Sequence, residues 1–404
     1  MDNLWVLISS ILVLFMILGL SIFYSGLVNK KNAINTMKMS LISLGFIPII
    51  WLFIGYSLAF NGTNPYVGTI SFDFLLGNLA LNLPGTNISI QTFMLFQIMF
   101  AAISPAILSG AIIGRMKFIP YLVIICLWTI IVYSTVAHWV WSSNGWLHKL
   151  GVLDFAGGAV VHLTAGVSAL VASIILRPRL GYSESSSTSH NIPFVVIGAC
   201  ILWFGWFGFN AGSAYAVDNI MQVAFVNTFF ATSSAMLAWC IVSLIKKQKI
   251  TAVGISMSIV IGLVAITPAA GYVTIFSALM IGFIASLVCN ILLGKKKTLL
   301  KNIDDSLDVF ICHGVSGVIG ALLLGFFASK SINPSIGIEG FFYGGGGKLL
   351  GIQFIGCLVV MLFAAFMTFL IFKLVYFCTE IRIRNEDEKK GLDKVEHGEK
   401  AYDL

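Results

Sequence analysis

The sequence predicts an all-α polytopic membrane protein with eleven transmembrane helices, arranged as two inverted five-helix repeats plus an eleventh helix. Three observations carry that prediction. The 404 residues are 58% hydrophobic and only 10% charged, whereas a soluble domain carries roughly 25% charged residues. The apolar residues fall in blocks of about 20, the length at which a helix crosses a bilayer core. The basic residues gather in alternate connections, as they do when successive spans reverse direction.

Taken in order, the spans are expected at about 4–28, 38–60, 91–113, 118–141, 155–177, 193–211, 221–245, 251–267, 269–293, 307–329 and 350–378. The first block opens "MDNLWVLISS", with Asp2 where a signal peptide would carry positive charge and no A-x-A site beyond, so it reads as an uncleaved helix. Only "TPAAG" divides the eighth span from the ninth, with Pro268 and Gly271 as the breakers. Connections after odd-numbered spans, with the C-terminal tail, hold twenty-one Lys and Arg residues; those after even-numbered spans hold Lys149, Lys330 and Lys348. This bias predicts an outside N-terminus and a cytoplasmic C-terminus. The net charge of +7 is therefore a matter of orientation in the bilayer and does not point to nucleic acid. The seven cysteines lie in or beside apolar blocks without CxxC or metal-ligand spacing, and read as small buried hydrophobes. Two parts follow: a membrane domain over 1–380 and a polar tail over 381–404.

Internal symmetry shows in two short patterns. The fifth span opens "DFAGGAVVHLTAG" and the tenth contains "DVFICHGVSG", each an acid followed by a histidine among small residues. Five spans separate them, and five is odd, so two five-helix repeats would be inverted with a pathway at their interface. Their expected extents are about 1–180 and 190–330, with the eleventh helix at about 350–378.

His162 and His313 are the histidines near mid-span; His138 lies near the end of the fourth. A lone histidine in a soluble core is usually a satisfied polar residue, but ionisable groups inside a bilayer are costly and usually line a pathway. Cys312 beside His313 suggests a metal, yet two imidazoles and a thiol with no carboxylate at ligand spacing make a poor site. Neither a metal nor a cofactor is expected. No nucleophile–base pair is evident either, so the chain does not read as an enzyme. Asp154, Gly158 and His162 fall roughly on one helical face by spacing, and Gly157, Gly158 and Gly166 invite close helix approach. Asp154 and Asp308 both stand at span starts, where a carboxylate caps free N–H groups; both read as structural supports. "HWVW" and "GWFGFNAGSA" end the fourth and sixth spans at one membrane face, where Trp139 and Trp206 read as ordinary interface anchors. An aromatic cluster there has a sharper use, binding a small cation through ring quadrupoles.

Several stretches together resemble the ammonium transporter (Amt) family: "SIFYSGLVNKKN", "FQIMFAAISPAILSGA", "AHWVW", "DFAGGAVVH", "GWFGFNAGSAYA", "AFVNT", "DVFICHG" and "GLDKVEHGEKAY". The resemblance covers essentially the whole chain. It implies an outer recruitment site made by Phe100, Trp141 and Ser213, and a gate of stacked rings, Phe100 and Phe209. It further implies twin histidines, His162 and His313, hydrogen-bonded along an apolar conduit, with Asp154 supporting the mouth. Trp141 separates the chain from the related Rhesus proteins. Also implied are a homotrimer with a pore in each subunit, residence in the plasma membrane, and a tail that communicates with PII-type signal proteins. Two positions depart from the family pattern: Gly114 stands where many relatives have glutamate, and Thr135 where proline is common.

The function so implied is an ammonium transporter that recruits the cation, deprotonates it and conducts ammonia past the histidines, with or without the proton. The rival readings are an ammonium sensor signalling through its tail and a Rhesus-like neutral gas channel. For the tail alone, the composition by itself favours a solvated segment.

Overall fold

The computed structural model describes residues 1–72, 82–83, 85–182 and 189–402. Among them, ten helices are long and apolar enough to cross a membrane: Asp2–Leu27 (α1), Lys30–Phe60 (α2), Ile90–Ser109 (α3), Phe118–Leu150 (α4), Gly158–Leu176 (α5), Ile192–Gly212 (α6), Asn219–Ile245 (α7), Ile275–Gly294 (α9), Phe310–Phe327 (α10) and Lys348–Cys378 (α11). Between α7 and α9 lies a shorter apolar helix, Ala252–Ile266 (α8), so the eleven expected spans all have helical counterparts. Two short helices follow in the tail, Asn385–Lys390 (α12) and Leu392–His397 (α13).

Local chemistry sets many of the helix starts. Ser89, Asn191, Asp218, Thr251 and Thr274 each accept a backbone N–H from the first turn of α3, α6, α7, α8 and α9, which satisfies a donor that would otherwise go unpaired. Three starts fall later than the sequence predicts. Helix α5 begins at Gly158, because residues 151–157 form a non-helical approach. Helix α9 begins at Ile275, after a run of turns over 267–272. Helix α10 begins at Phe310, beyond an acid-rich loop.

The helices pair as two inverted repeats require. Trp5 near the start of α1 donates to the Ala211 carbonyl at the end of α6. At the opposite face, Asn191 N–H at the start of α6 donates to the Gly26 carbonyl at the end of α1. These helices are antiparallel neighbours five spans apart. The pair α5 and α10 crosses in the same way, with Gly166 against Gly314 and Gly158 against Gly317. Helix α11 lies outside the repeats and is fixed to α4 and α5 by a buried cluster of Trp128, Ser168 and Thr368. Its Phe354, Leu362 and Phe366 face outward, more than half exposed, as lipid-facing side chains do.

The tail is docked rather than solvated. Arg382 donates to the carbonyls of Leu176, Arg177 and Pro178 at the end of α5. The Asp393 carboxylate accepts the N–H groups of Ile34 and Asn35 at 3.1 and 2.7 Å, and Glu388 accepts the N–H of Leu180. Glu396 accepts the N–H of Phe118. These contacts define a tail face, opposite the face that carries the N-terminus.

Candidate functional site

On the N-terminal face, α3, α4 and α6 converge on a cavity of about 320 Å³ whose lining includes Phe100, Trp141 and Ser213. Each is set by its helix. Phe100 projects from α3, while Trp141 ends the regular part of α4 and donates its indole N–H to the Asp154 carbonyl at 2.9 Å. Ser213 is the residue after α6, and its hydroxyl donates back to the Phe209 carbonyl at 2.9 Å. The Trp141 and Phe100 rings are perpendicular, with centroids 5.9 Å apart. Gln97 and Tyr215, bonded to each other at 2.7 Å, add polar lining.

Phe100, which lines that cavity, packs on Phe209 with ring centroids 4.3 Å apart. His162 lies next in line, 5.7 Å from the Phe209 ring. Then comes His313, whose Nδ1 is 3.2 Å from Nδ1 of His162. Both imidazoles are buried, and Nε2 of His162 has no hydrogen-bond partner among the described residues. Beyond His313, toward the tail face, lies a cavity of about 10 Å³ lined by Tyr24, Leu307 and Cys312 among others. The residues expected from sequence thus stand in successive contact: Phe100 on Phe209, Phe209 on His162, and His162 on His313.

The histidines meet because their helices can approach. A Cβ on Gly166 would lie 2.3 Å from the Gly314 nitrogen, so only glycine lets α5 and α10 touch backbone to backbone beside the histidines. Both histidines sit in a turn of π-helix, Gly158–Leu163 and Phe310–Val315, a wider winding common at functional positions.

Asp154 is not on the face of α5 that the spacing suggests, because it precedes the helix. Its two oxygens accept the N–H groups of Gly157, Gly158, Ala159 and Val160 at 2.6–3.0 Å. Gly157 adopts φ +108°, a left-handed conformation that folds the chain back over the carboxylate. The capping role read for Asp308 is a correction. Its carboxylate is taken by Lys296 at 2.7 and 2.8 Å, and Asp305 accepts the Phe310 N–H at 2.7 Å at the start of α10. Asp305 stands eight residues before His313, as Asp154 stands eight before His162, so the signal for it was the repeated spacing.

Trp206 is a second correction. It is no interface anchor: it is fully buried and stacked on His162, 5.2 Å away and 16° from parallel, with its N–H on Thr267 at 2.9 Å. Trp139 does sit near the surface, bonded to the Tyr66 carbonyl. His138, fully buried, is held between the carbonyls of Ala59 and Asn64. Among the described residues, no three His, Cys, Asp or Glu side chains gather in a way that could hold a metal ion.

Comparison with known proteins gives matches along essentially the whole chain. Residues 4–402 match the model of the Ammonium Transporter Family. An ammonium transporter of Bacillus subtilis is 40% identical over 99% of this chain and 98% of its own. One of Aquifex aeolicus is 41% identical over 99% of this chain and 93% of its own. Among solved structures, a protein titled "Sensor Amt Protein" superposes with a TM-score of 0.89 at 32% identity, covering 98% of both chains. Mep2 of Saccharomyces cerevisiae gives 0.85 at 34% identity over 96% of this chain and 88% of its own. A multi-pass helical fold, matched along essentially its whole length at this identity, leaves one assignment: the chain belongs to the ammonium transporter family.

Proposed function

We propose that the chain takes up ammonium at the aromatic cavity, strips one proton, and passes ammonia along the line of His162 and His313. The observation that carries this reading is the buried Nδ1–Nδ1 hydrogen bond between the two imidazoles, 3.2 Å long, beside the packed pair of rings. Ammonium is about the size of potassium, so size alone cannot select it. Carrying a bare cation through an apolar conduit costs several kcal/mol or more, whereas ammonium can shed a proton and cross neutral. Phe100 and Trp141 offer ring faces worth about 0.5–2 kcal/mol each to a desolvated cation, and the Ser213 hydroxyl offers an oxygen. Asp154 holds the mouth in shape through its four N–H bonds and through Trp141, which leans on its carbonyl.

An Nδ1–Nδ1 bond requires one ring to donate and the other to accept. The two imidazoles therefore hold opposite tautomers, and their roles exchange when the donating ring gains a proton at its bare Nε2, passes the shared proton to the other Nδ1, and the accepting ring releases its own Nε2 proton. Such a pair accepts a proton at one end and offers one at the other. The arrangement is placed in a plasma membrane with the N-terminal face outside and the tail face in the cytoplasm, as the basic residues on the tail side favour. The membrane domain over 1–380, a homotrimeric assembly and a PII-type partner at the docked tail complete the proposal.

A second reading, an ammonium sensor, has one specific support: the solved structure titled "Sensor Amt Protein". Ammonium-evoked current and ammonium uptake in liposomes separate the readings. Transport predicts both for the wild type. The double variant His162→Ala/His313→Ala should lose the current, and any residual passage should be of neutral ammonia. Wild-type current and selectivity in that variant would reduce the pair to packing, and absence of all flux in the wild type would favour the sensor.

A further inference from the structure

At the tail face, the end of α5, the end of α11 and the start of the tail enclose a cavity of about 350 Å³. Three cations line it, Arg177, Lys373 and Arg382, together with Tyr376 and apolar side chains; no acid among the described residues does. Arg382 is already engaged by three carbonyls and by Glu388. Arg177 and Lys373 are not so engaged. Among the described residues neither side chain makes a hydrogen bond or ion pair, and the Lys373 ammonium rests over the Phe369 ring, 5.6 Å from its centroid. The neighbouring Glu380 is paired with Lys117.

Arg177 is also held in an unfavourable conformation. Its backbone sits at φ +63° and ψ 169°, a region essentially confined to glycine. Glycine at this position would end α5 without strain. A basic residue near a helix end can simply reach for the membrane surface, but that reach needs no particular backbone and leaves the strain unexplained. An arginine kept in a glycine conformation, unpartnered, at the wall of an acid-free cavity fits a clamp for an anion.

Toward mid-span, the stripe of α11 that carries Lys373 continues with Phe369, Phe366 and Leu362, each three or four residues from the last. These side chains are 43%, 60% and 59% exposed. A ligand that suits both parts has a negative head and apolar chains. We propose that the cavity binds the headgroup of an anionic glycerophospholipid, its phosphate held by Arg177 and Lys373 and its acyl chains lying along this stripe of α11. Basic pockets between membrane helices recognise such headgroups. A zwitterionic headgroup brings an ammonium that meets no carboxylate among the lining residues, so the cavity selects a net negative one. Arg382 lines the same cavity and grips the end of α5, so a bound headgroup joins α5, α11 and the tail. This binding does not depend on how ammonium crosses the membrane.

Native mass spectrometry of the full chain in detergent, titrated separately with phosphatidylglycerol, phosphatidylcholine and glycerol 3-phosphate, tests the site, with melting temperature followed alongside. Phosphatidylglycerol should bind about tenfold more tightly than phosphatidylcholine, the scale expected of two basic residues facing an anionic lipid, and should raise the melting temperature. Glycerol 3-phosphate, which has the charge but no chains, should do neither. Arg177→Gly relieves the backbone and removes the cation. Without lipid it should melt at or above the wild-type temperature, and it should lose most of the preference for phosphatidylglycerol. Lys373→Gln should weaken that preference severalfold, and the double variant should abolish it. A double variant with the wild-type preference would overturn the proposal, as would a wild type that binds the two lipids equally or binds neither. Glycerol 3-phosphate bound as tightly as phosphatidylglycerol would make this a site for soluble phosphate and overturn the lipid assignment. Should Arg177→Gly unfold, Lys373→Gln decides, an unchanged preference overturning the proposal.

Discussion

At the residue scale, the mouth is legible in the sequence only as an aromatic cluster near a membrane face. An interface anchor and a cation site use the same ring types, so composition cannot separate them. Position separates them. Trp141 stands perpendicular to Phe100, lines the cavity and has its N–H spent on the Asp154 carbonyl, so the indole offers the cavity ring surface and no free donor. Trp206, read from sequence as an anchor, is instead buried against His162. Replacing Trp141 with leucine should weaken apparent ammonium affinity about 2–30-fold, corresponding to about 0.5–2 kcal/mol for one desolvated ring. The melting temperature should stay close to the wild-type value. Concentration-dependent uptake measures the effect, and an unchanged affinity would remove the cation–π contribution.

At the element scale, the decisive feature is how closely α5 and α10 cross. Small residues near the histidines hinted at such an approach, but which glycine faces which depends on the crossing itself. Gly166 meets the Gly314 backbone, and an added methyl at 2.3 Å from a backbone nitrogen forces the helices apart. Gly166→Ala should therefore destabilise the protein by about 1–3 kcal/mol, the usual range for overpacking. It should also lengthen the Nδ1–Nδ1 bond and lower flux severalfold while leaving the mouth intact. Uptake and thermal unfolding measured together test this. Normal flux in a normally stable Gly166→Ala protein would show that the crossing tolerates separation. The two acid caps belong to the same scale. Aspartates at both span starts are visible in sequence, and the repeated eight-residue spacing points to Asp305, but only the packed structure shows Lys296 claiming Asp308 from a separate helical turn.

At the scale of the whole molecule, the tail ties together segments far apart in the chain. Asp393 caps α2 near Ile34, Arg382 grips the end of the helix that carries His162, and Glu388 bonds both Arg382 and the Leu180 N–H. Arg179, just beyond that helix end, holds Asp304, next to the Asp305 cap of α10. The tail is thereby joined mechanically to both histidine helices. Truncation after Glu380 should lower flux severalfold and lower the melting temperature. Asp393→Ala alone should cost about 1 kcal/mol, typical of a lost N-cap. Wild-type flux from the truncated protein would show that the docked tail is dispensable for conduction.

Sequence alone determined the helical class, the approximate spans, the inverted relation of the repeats and the identity of the paired histidines. It could do so because bilayer thickness, backbone hydrogen bonding and the scarcity of ionisable groups in apolar spans are constraints written residue by residue. Tertiary structure decided the rest: that Asp154 precedes its helix, that Asp305 rather than Asp308 caps α10, that Trp206 stacks on a histidine, and that the tail is docked. Each of these turns on a contact between residues distant in sequence, where competing partners with similar local chemistry are separated only by where the packed helices place them.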